Sequence, residues 1–426
     1  MKRLLVLLLL LTLLGGCYLD PSESLYAVPQ QPASYYDLQS AIERFTDRGA
    51  SFCAPTAGEN QQAIHLTNLD DDAEEEAIVY LKTDGDAPLM LCVFDRRADR
   101  YVLAGKAEGA GYAFDSALYL SIDETPGHEI VIGRKISDGV PQVLSVYALR
   151  EDGLTELMST NYAEYITADL DSDGKRELIA LHTDGDAQNG VAEYYRWEDG
   201  EIVRAKETNL SASVDAIKRI STGKLCEDVP AVFVGSSYGE GIVTDVLVLR
   251  EGSFVNVTLS EQVSTSVPTL RGYYVYSCDI DDDGLVELPR LQPLASLAGD
   301  EDSDGQWLIS WYNLHPDGTR EDKCLTYHNY AAGWYVKIPS RWENTLAVTR
   351  ADGAVSFVDS QTEQELFAIT TVSEEKMRRS NDEWHSLAQK GEVSYACRFN
   401  KDAGVSLSLL KELFRFIRVD WNTGET

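Results

Sequence analysis

A short acidic pattern that returns along the chain constrains the fold more than any other feature. Asp169-Leu-Asp171-Ser-Asp173-Gly174-Lys175-Arg-Glu177 leads into the apolar run LIAL, and Asp279-Ile-Asp281-Asp-Asp283-Gly284-Leu285-Val-Glu287 into LPRL. Weaker copies begin at Asn68 (NLDDDAEEE) and Ser121 (SIDETPGHE). The starts at 68, 121, 169 and 279 lie 53, 48 and 110 residues apart, so the last interval is two periods. Halfway along it, Cys226-Glu-Asp228 and the run after it have lost the carboxylates but keep the apolar strand. The segment 83–87 (TDGDA) recurs unchanged at 183–187, again two periods on.

A fixed period of about 50 residues means one supersecondary unit repeated, each burying its apolar face against the next. Each period fits four short strands: one before the acidic loop, one after it, and two more beyond Gly-containing turns. Such units stack radially as propeller blades, which protects the edges a lone meander would expose. The acidic loops resemble the FG-GAP and VCBS repeats of integrin-like propellers, over about residues 60–330. The expected fold is mainly β: a propeller of about five four-stranded blades, followed by a small α+β sandwich.

Calcium takes six to eight oxygens, and side chains at alternate positions 1, 3 and 5 can curl round one ion when a glycine at position 6 permits the turn. The resemblance implies Asp169, Asp171, Asp173, the Lys175 carbonyl and Glu177 in one loop, and Asp279, Asp281, Asp283, the Leu285 carbonyl and Glu287 in the other. Asn68, Asp70, Asp72 and Glu76 are a weaker set, because Ala73 stands where the glycine would be. An EF-hand would need a glutamate at position 12, which is Ala180 or Arg290 here, and helical flanks. The competing reading is an acidic Asx-turn without metal. Asp300, Asp302 and Asp304 precede Gly305, but Leu308 at position 9 makes that stretch a turn. Structural calcium is the expected cofactor.

Seventy Asp and Glu oppose 37 Lys and Arg, a formal net charge of -33, which repels a nucleic-acid backbone. In blade geometry the turns joining second and third strands open opposite the acidic loops. They carry Asp84, Asp86, Asp138, Asp184, Asp186, Glu240, Asp300, Asp302 and Asp304, an acidic rim suited to a basic protein, peptide or polymer.

Lys2 and Arg3 precede an apolar run over residues 4–14, too short to span a bilayer and matched to a signal-peptide core. It ends in Leu14-Gly15-Gly16-Cys17, which resembles the lipobox of bacterial lipoproteins. That resemblance implies a signal peptide over residues 1–16, acylation of Cys17, and an extracytoplasmic protein anchored to the cell membrane. Residues 17–33 then form a Pro-, Ser- and Gln-rich tether, and residues 34–330 a short helix and the propeller. The six remaining cysteines lie far apart without a CxxC and read as mostly free, buried thiols.

From residue 331 the balance shifts: 12 Lys and Arg face 14 Asp and Glu, a net of -2. Residues 331–426 resemble PsbP-like domains through the Trp334 to Trp342 corner (WYVKIPSRW), with helices expected over residues 373–390 and 406–418. Gly235-Ser-Ser237-Tyr-Gly239 satisfies GxSxG, but a strand pattern follows where a nucleophile elbow needs a helix. The six histidines show no metal-site pairing. The sequence reads as a lipid-anchored extracytoplasmic binding module with structural calcium and no catalysis. The alternative is a hydrolase of envelope or other polymers, with carboxylates in the propeller channel.

Overall fold

The computed structural model describes residues 33–98, 100–139, 141–183, 189–297, 307–372, 384–418 and 421. The signal peptide, Cys17, the tether, Asp184, Asp186, Asp300, Asp302, Asp304 and the stretch 373–383 lie outside the described residues. Helix α1 (Ala33–Thr46) comes first, and five strands follow: β1 (Ser51–Phe52), β2 (Ile64–Thr67), β3 (Glu76–Lys82), β4 (Leu89–Arg97) and β5 (Arg100–Gly109). They form one sheet in the order β1-β3-β4-β5, with β2 also on β3. Leu38, Ala41 and Ile42 of α1 pack on Val79, Leu81, Cys92 and Phe94 of that sheet.

The same meander recurs. A second sheet holds β6 (Ala113–Leu120), β7 (Glu129–Lys135), β8 (Gln142–Arg150) and β9 (Gly153–Tyr162). A third holds β10 (Glu164–Ala168), β11 (Glu177–Thr183), β12 (Gly190–Glu198) and β13 (Glu201–Asn209). A fourth holds β14 (Ile217–Lys224), β15 (Pro230–Tyr238), β16 (Gly241–Arg250) and β17 (Ser253–Asn256). The fifth contains β18 (Leu288–Pro293), β19 (Trp307–Leu314), β20 (Arg320–Asn329) and β21 (Trp334–Ile338). In place of its first strand stands an isolated antiparallel bridge, Cys278 to Glu287. The sixth holds β22 (Leu346–Ala351), β23 (Ala354–Asp359), β24 (Gln364–Val372), β25 (His385–Lys390) and β26 (Val393–Phe399), in the order β22-β23-β24-β26-β25. After helix α2 (Leu407–Leu413), strand β27 (Phe414–Phe416) adds to β21. The chain is therefore mainly β, as expected.

The strands after three of the acidic loops, β3, β7 and β11, are buried along almost their whole length, whereas β18, after the loop at Asp279, is buried only at Leu288 and Pro289. The outer strand β5 alternates between partly buried and exposed residues. The chain divides into two compact units, one of residues up to 116 with 149–155, the other of 117–148 with 156–426. Within the second unit, consecutive sheets share cores. Val234 and Leu247 of sheet four meet Ile179 and Ala192 of sheet three, and Leu288 and Tyr312 of sheet five meet Phe233 and Val246 of sheet four.

Two expectations about the last hundred residues need correction. The described part of the segment expected to be helical over 373–390 is the edge strand β25, where only Leu387 is buried. The closing helix ends at Leu413, because Phe414 turns extended and joins β21, where it packs on Trp334. The residue 330/331 boundary falls between strands paired in one sheet, Leu325 opposite Ile338. Trp334 and Trp342 are core residues, 1% and 5% exposed. Among the described residues no disulfide forms, and no helix is long and apolar enough to cross a membrane.

Candidate functional site

The acidic loops sit between the first and second strands of their sheets and share one backbone design. Position 4 has a left-handed backbone in all three: Asp71, Ser172 and Asp282, with φ of 62, 63 and 65°. Position 6 is left-handed in the two glycine-bearing loops, at Gly174 and Gly284 with φ of 89 and 87°, a conformation that strains any residue with a Cβ. The first side chain then folds over the turn. Asp169 Oδ1 and Oδ2 accept from the N–H groups of Asp173 (3.1 Å) and Gly174 (3.0 Å), and Asp279 does the same for Asp283 (3.1 Å) and Gly284 (3.0 Å).

Position 9 closes the loop. Oε2 of Glu76, Glu177 and Glu287 accepts the backbone N–H of Leu69 (2.6 Å), Leu170 (2.7 Å) and Ile280 (3.0 Å). The degraded loop at Ser121 keeps the clasp, Ile122 N–H to Glu129 Oε2 at 2.8 Å. Sequence reasoning had not assigned Glu129 a role; its spacing of seven from Ile122, as in the other loops, was the available signal.

The structure brings Asp169, Asp171, Asp173 and Glu177 together, with one carboxylate oxygen from each lying within 4.8 Å of the others. Asp70, Asp72 and Glu76 converge in the same way, despite Ala73. Asp279, Asp281 and Glu287 form the third group, without Asp283. Asp283 Oδ2 instead takes the Lys323 ammonium at 2.6 Å, and Glu287 Oε1 takes the Asn313 amide at 2.7 Å. Asn68 is turned inward on its loop, its Oδ1 accepting from Asp71 N–H and its Nδ2 donating to the Asp72 carbonyl, both at 2.7 Å. At Lys175 and Leu285 the backbone N–H groups donate to Asp173 (2.8 Å) and Asp283 (2.9 Å). These clusters can hold a metal ion.

Their electrostatics are those of crowded, desolvated carboxylates. Burial, with help from the neighbouring carboxylates and against the backbone clasp, pushes Glu76, Glu177 and Glu287 each up to about 7. Burial also raises Asp70 and Asp171. Asp283 moves the other way: burial raises it, but the Lys323 ammonium and the Leu285 N–H together outweigh burial and lower it.

Elsewhere in the second unit, a cleft of about 670 Å³ opens where the turns after the second strands gather, lined in part by Glu164, His182 and Asp215. His182 Nε2 lies 3.2 Å from Glu193 Oε1, and Tyr195 donates to the other oxygen of Glu193 at 2.6 Å. The GxSxG segment lies on β15 and runs through a turn into β16, so no helix supports a nucleophile there. Of the acidic rim, Asp84, Asp86, Asp138 and Glu240 are described and exposed on turns.

No family model matches the chain, and no curated protein matches it. Among solved structures it is similar to the exotype rhamnogalacturonan lyase YesX, at 12% identity and TM-score 0.33, covering 71% of this chain and 71% of that one. It is also similar to the rhamnogalacturonan lyase YesW, at 12% identity and TM-score 0.33, covering 74% and 69%. A third is the exo-β-1,3-galactanase of Phanerochaete chrysosporium with galactose, at 8% identity and TM-score 0.25, covering 86% and 91%. Likeness at this level assigns no activity to this chain. The expectation of a binding module without catalysis finds no support among these structures, which are polysaccharide lyases and a glycanase. The missing His, Ser or Cys constellation was no ground for excluding catalysis, since carboxylates that do such chemistry are brought together by folding.

Proposed function

We propose that this is an exported, lipid-anchored protein of β-propeller type whose acidic repeat loops bind calcium. One observation carries the metal reading. Glu76 is fully buried, its Oε1 has no hydrogen-bond partner among the described residues, and it converges with Asp70 and Asp72. A buried carboxylate oxygen facing two further carboxylates is costly unless a cation lies among them. The donors are all hard oxygens, which suits calcium over the softer transition metals. The repeated sheets with shared cores support the propeller reading, and sheet six with α2 supports a small α+β unit over residues 331–426. The anchor rests on the Leu14 to Cys17 motif. Elemental analysis of protein purified without chelator, with melting curves in calcium and in EGTA, tests the metal. Identical curves and no bound metal would refute it. For the anchor, Cys17→Ala should yield exported protein that is extractable without detergent.

A second reading, hydrolysis of an envelope or extracellular polymer, is favoured by Glu164 and Asp215 lining one cleft beside His182. Paired carboxylates can serve as general acid and base on a glycosidic bond. Release of reducing ends from a panel of envelope polysaccharides tests it. Glu164→Gln or Asp215→Asn should lower the rate by about a hundredfold or more.

A further inference from the structure

We infer that the Tyr194 hydroxyl belongs to the ion site of the loop at Asp169, where it donates to the Glu177 carboxylate and holds it in ligating position. The inference rests on the calcium reading of that loop and adds to it a residue from another strand. Tyr194 lies on β12 opposite Ile179 of β11, which is two residues beyond Glu177. The two side chains therefore share a sheet face as diagonal neighbours, a spacing that an aromatic side chain spans. That face meets sheet four: Tyr194 packs with Leu170 and Ile179 and stacks on Phe254, with ring centroids 5.3 Å apart. The stack fixes the ring and with it the place of the hydroxyl.

Tyr194 is 1% exposed, and its hydroxyl makes no hydrogen bond among the described residues. A hydroxyl kept dry and unpaired is costly. Burial first, then the charges of Glu177 and Asp171, raise the phenol above the ordinary tyrosine value, so the hydroxyl faces the group in which Asp169, Asp171, Asp173 and Glu177 converge. Glu177 already gives Oε2 to the Leu170 N–H at 2.7 Å. A phenol donating to the same carboxylate makes a charge-assisted bond, and donors of this kind orient the carboxylates that ligate an ion. The arrangement is particular to this sheet. The corresponding places are held by Val93 in sheet one, Val146 in sheet two and Trp311 in sheet five. Trp311 turns its indole N–H to Thr326 at 2.7 Å, so of these four residues Tyr194 alone brings a hydroxyl to its loop.

The test uses the full chain, detergent-solubilised and carrying Asp70→Asn/Asp281→Asn, so that the loop at Asp169 reports alone. Calcium is titrated by calorimetry, and melting is followed in EGTA and in calcium, with and without Tyr194→Phe. The phenylalanine keeps the stacked ring and removes only the hydroxyl. It should weaken calcium binding by about tenfold and shrink the calcium-induced rise in melting temperature. In EGTA it should melt at or above its parent, because an unpaired buried hydroxyl has gone. Calcium should also shift the near-ultraviolet tyrosine spectrum of the protein that retains Tyr194, a measurement that needs no change at that residue. A spectrum indifferent to saturating calcium would overturn the inference, as would unchanged affinity in Tyr194→Phe or an equal loss of stability in EGTA and in calcium. Calcium binding by the natural chain but not by the Asp70→Asn/Asp281→Asn protein would also overturn it, by leaving the loop at Asp169 without an ion. No binding by either would sink the calcium reading itself.

Discussion

Glu177 Oε2 accepts the backbone N–H of Leu170 at 2.7 Å, so the last residue of the acidic loop clamps the second. The same bond joins Leu69 to Glu76 and Ile280 to Glu287, and it survives between Ile122 and Glu129, where most of the other carboxylates are gone. One carboxylate can thus serve two separable tasks: one oxygen holds the loop while the second faces its surroundings, unpartnered among the described residues at Glu76 and taken by Asn313 at Glu287.

Substitution separates the tasks. Glu177→Gln keeps an acceptor for Leu170 and removes the charge; Glu177→Ala removes both. In EGTA at pH 8, Glu177→Ala should cost about 1–3 kcal/mol, the penalty of leaving a buried N–H unpaired. Glu177→Gln should be neutral or stabilising there, since it no longer requires a buried carboxylate to ionise. In calcium both should lose most of the metal-induced rise in melting temperature contributed by that loop. A glutamine variant with a full calcium response would show that Glu177 is not a ligand.

The raised acids make metal-free stability depend on pH with a definite sign. Glu76, Glu177 and Glu287 sit near 7 in the folded chain and near 4.5 when unfolded. Between those values the folded state binds more protons, so their contribution is fully present below pH 4.5 and is lost as pH rises through 7. Each is worth on the order of 2 kcal/mol. Unfolding in EGTA should therefore become easier from pH 5 to 8, and saturating calcium should oppose this, since the ion replaces the protons. Chelated protein equally stable at both ends would contradict the assignment.

How much of this was legible follows from how local each feature is. The Asp and Gly spacing of the loops is set within nine residues, so sequence placed the loops, and their period placed the sheets. Lys323 lies 40 residues beyond Asp283 and Asn313 lies 26 beyond Glu287, so nothing near the third loop announced that two of its carboxylates were already engaged. The loop at Asn68, demoted for Ala73, turns out to hold a buried oxygen without a partner among the described residues, as does Asp281 in the third loop. Strand β25 resembled a helix because an edge strand with one buried residue carries almost no period. The cleft draws on three sheets and left no trace in any one segment.

Lys323 predicts a hierarchy among the loops. Its ammonium occupies Asp283 where an incoming ion would claim the same oxygens. Lys323→Met should tighten calcium binding at the third loop by about tenfold, because it removes a competing charge and releases a ligand. The pair is partly exposed, so its loss should cost the chelated protein no more than about 1 kcal/mol. Calorimetry in an Asp70→Asn/Asp171→Asn background isolates that loop. Unchanged affinity would mean that Lys323 yields without cost.

The last prediction concerns His328, whose ring stacks on Tyr335 with centroids 4.9 Å apart and whose nitrogens have no hydrogen-bond partner among the described residues. Burial alone pushes it down to about 3, from 6.5 when unfolded. Between those values the unfolded chain binds the extra proton, so the stability held above pH 6.5 is lost as pH falls, by up to about 1.4 kcal/mol for each pH step. The loop glutamates push in the opposite direction over pH 4.5 to 7, so the parent's melting curve alone would not reveal it. The difference from His328→Phe does, because phenylalanine keeps the stacked ring and cannot take a proton. With every buffer matched and EGTA present, the variant's advantage over the parent should widen steadily from pH 7 to pH 4.5. A constant difference across that range would show that His328 does not hold a neutral ring against the acid.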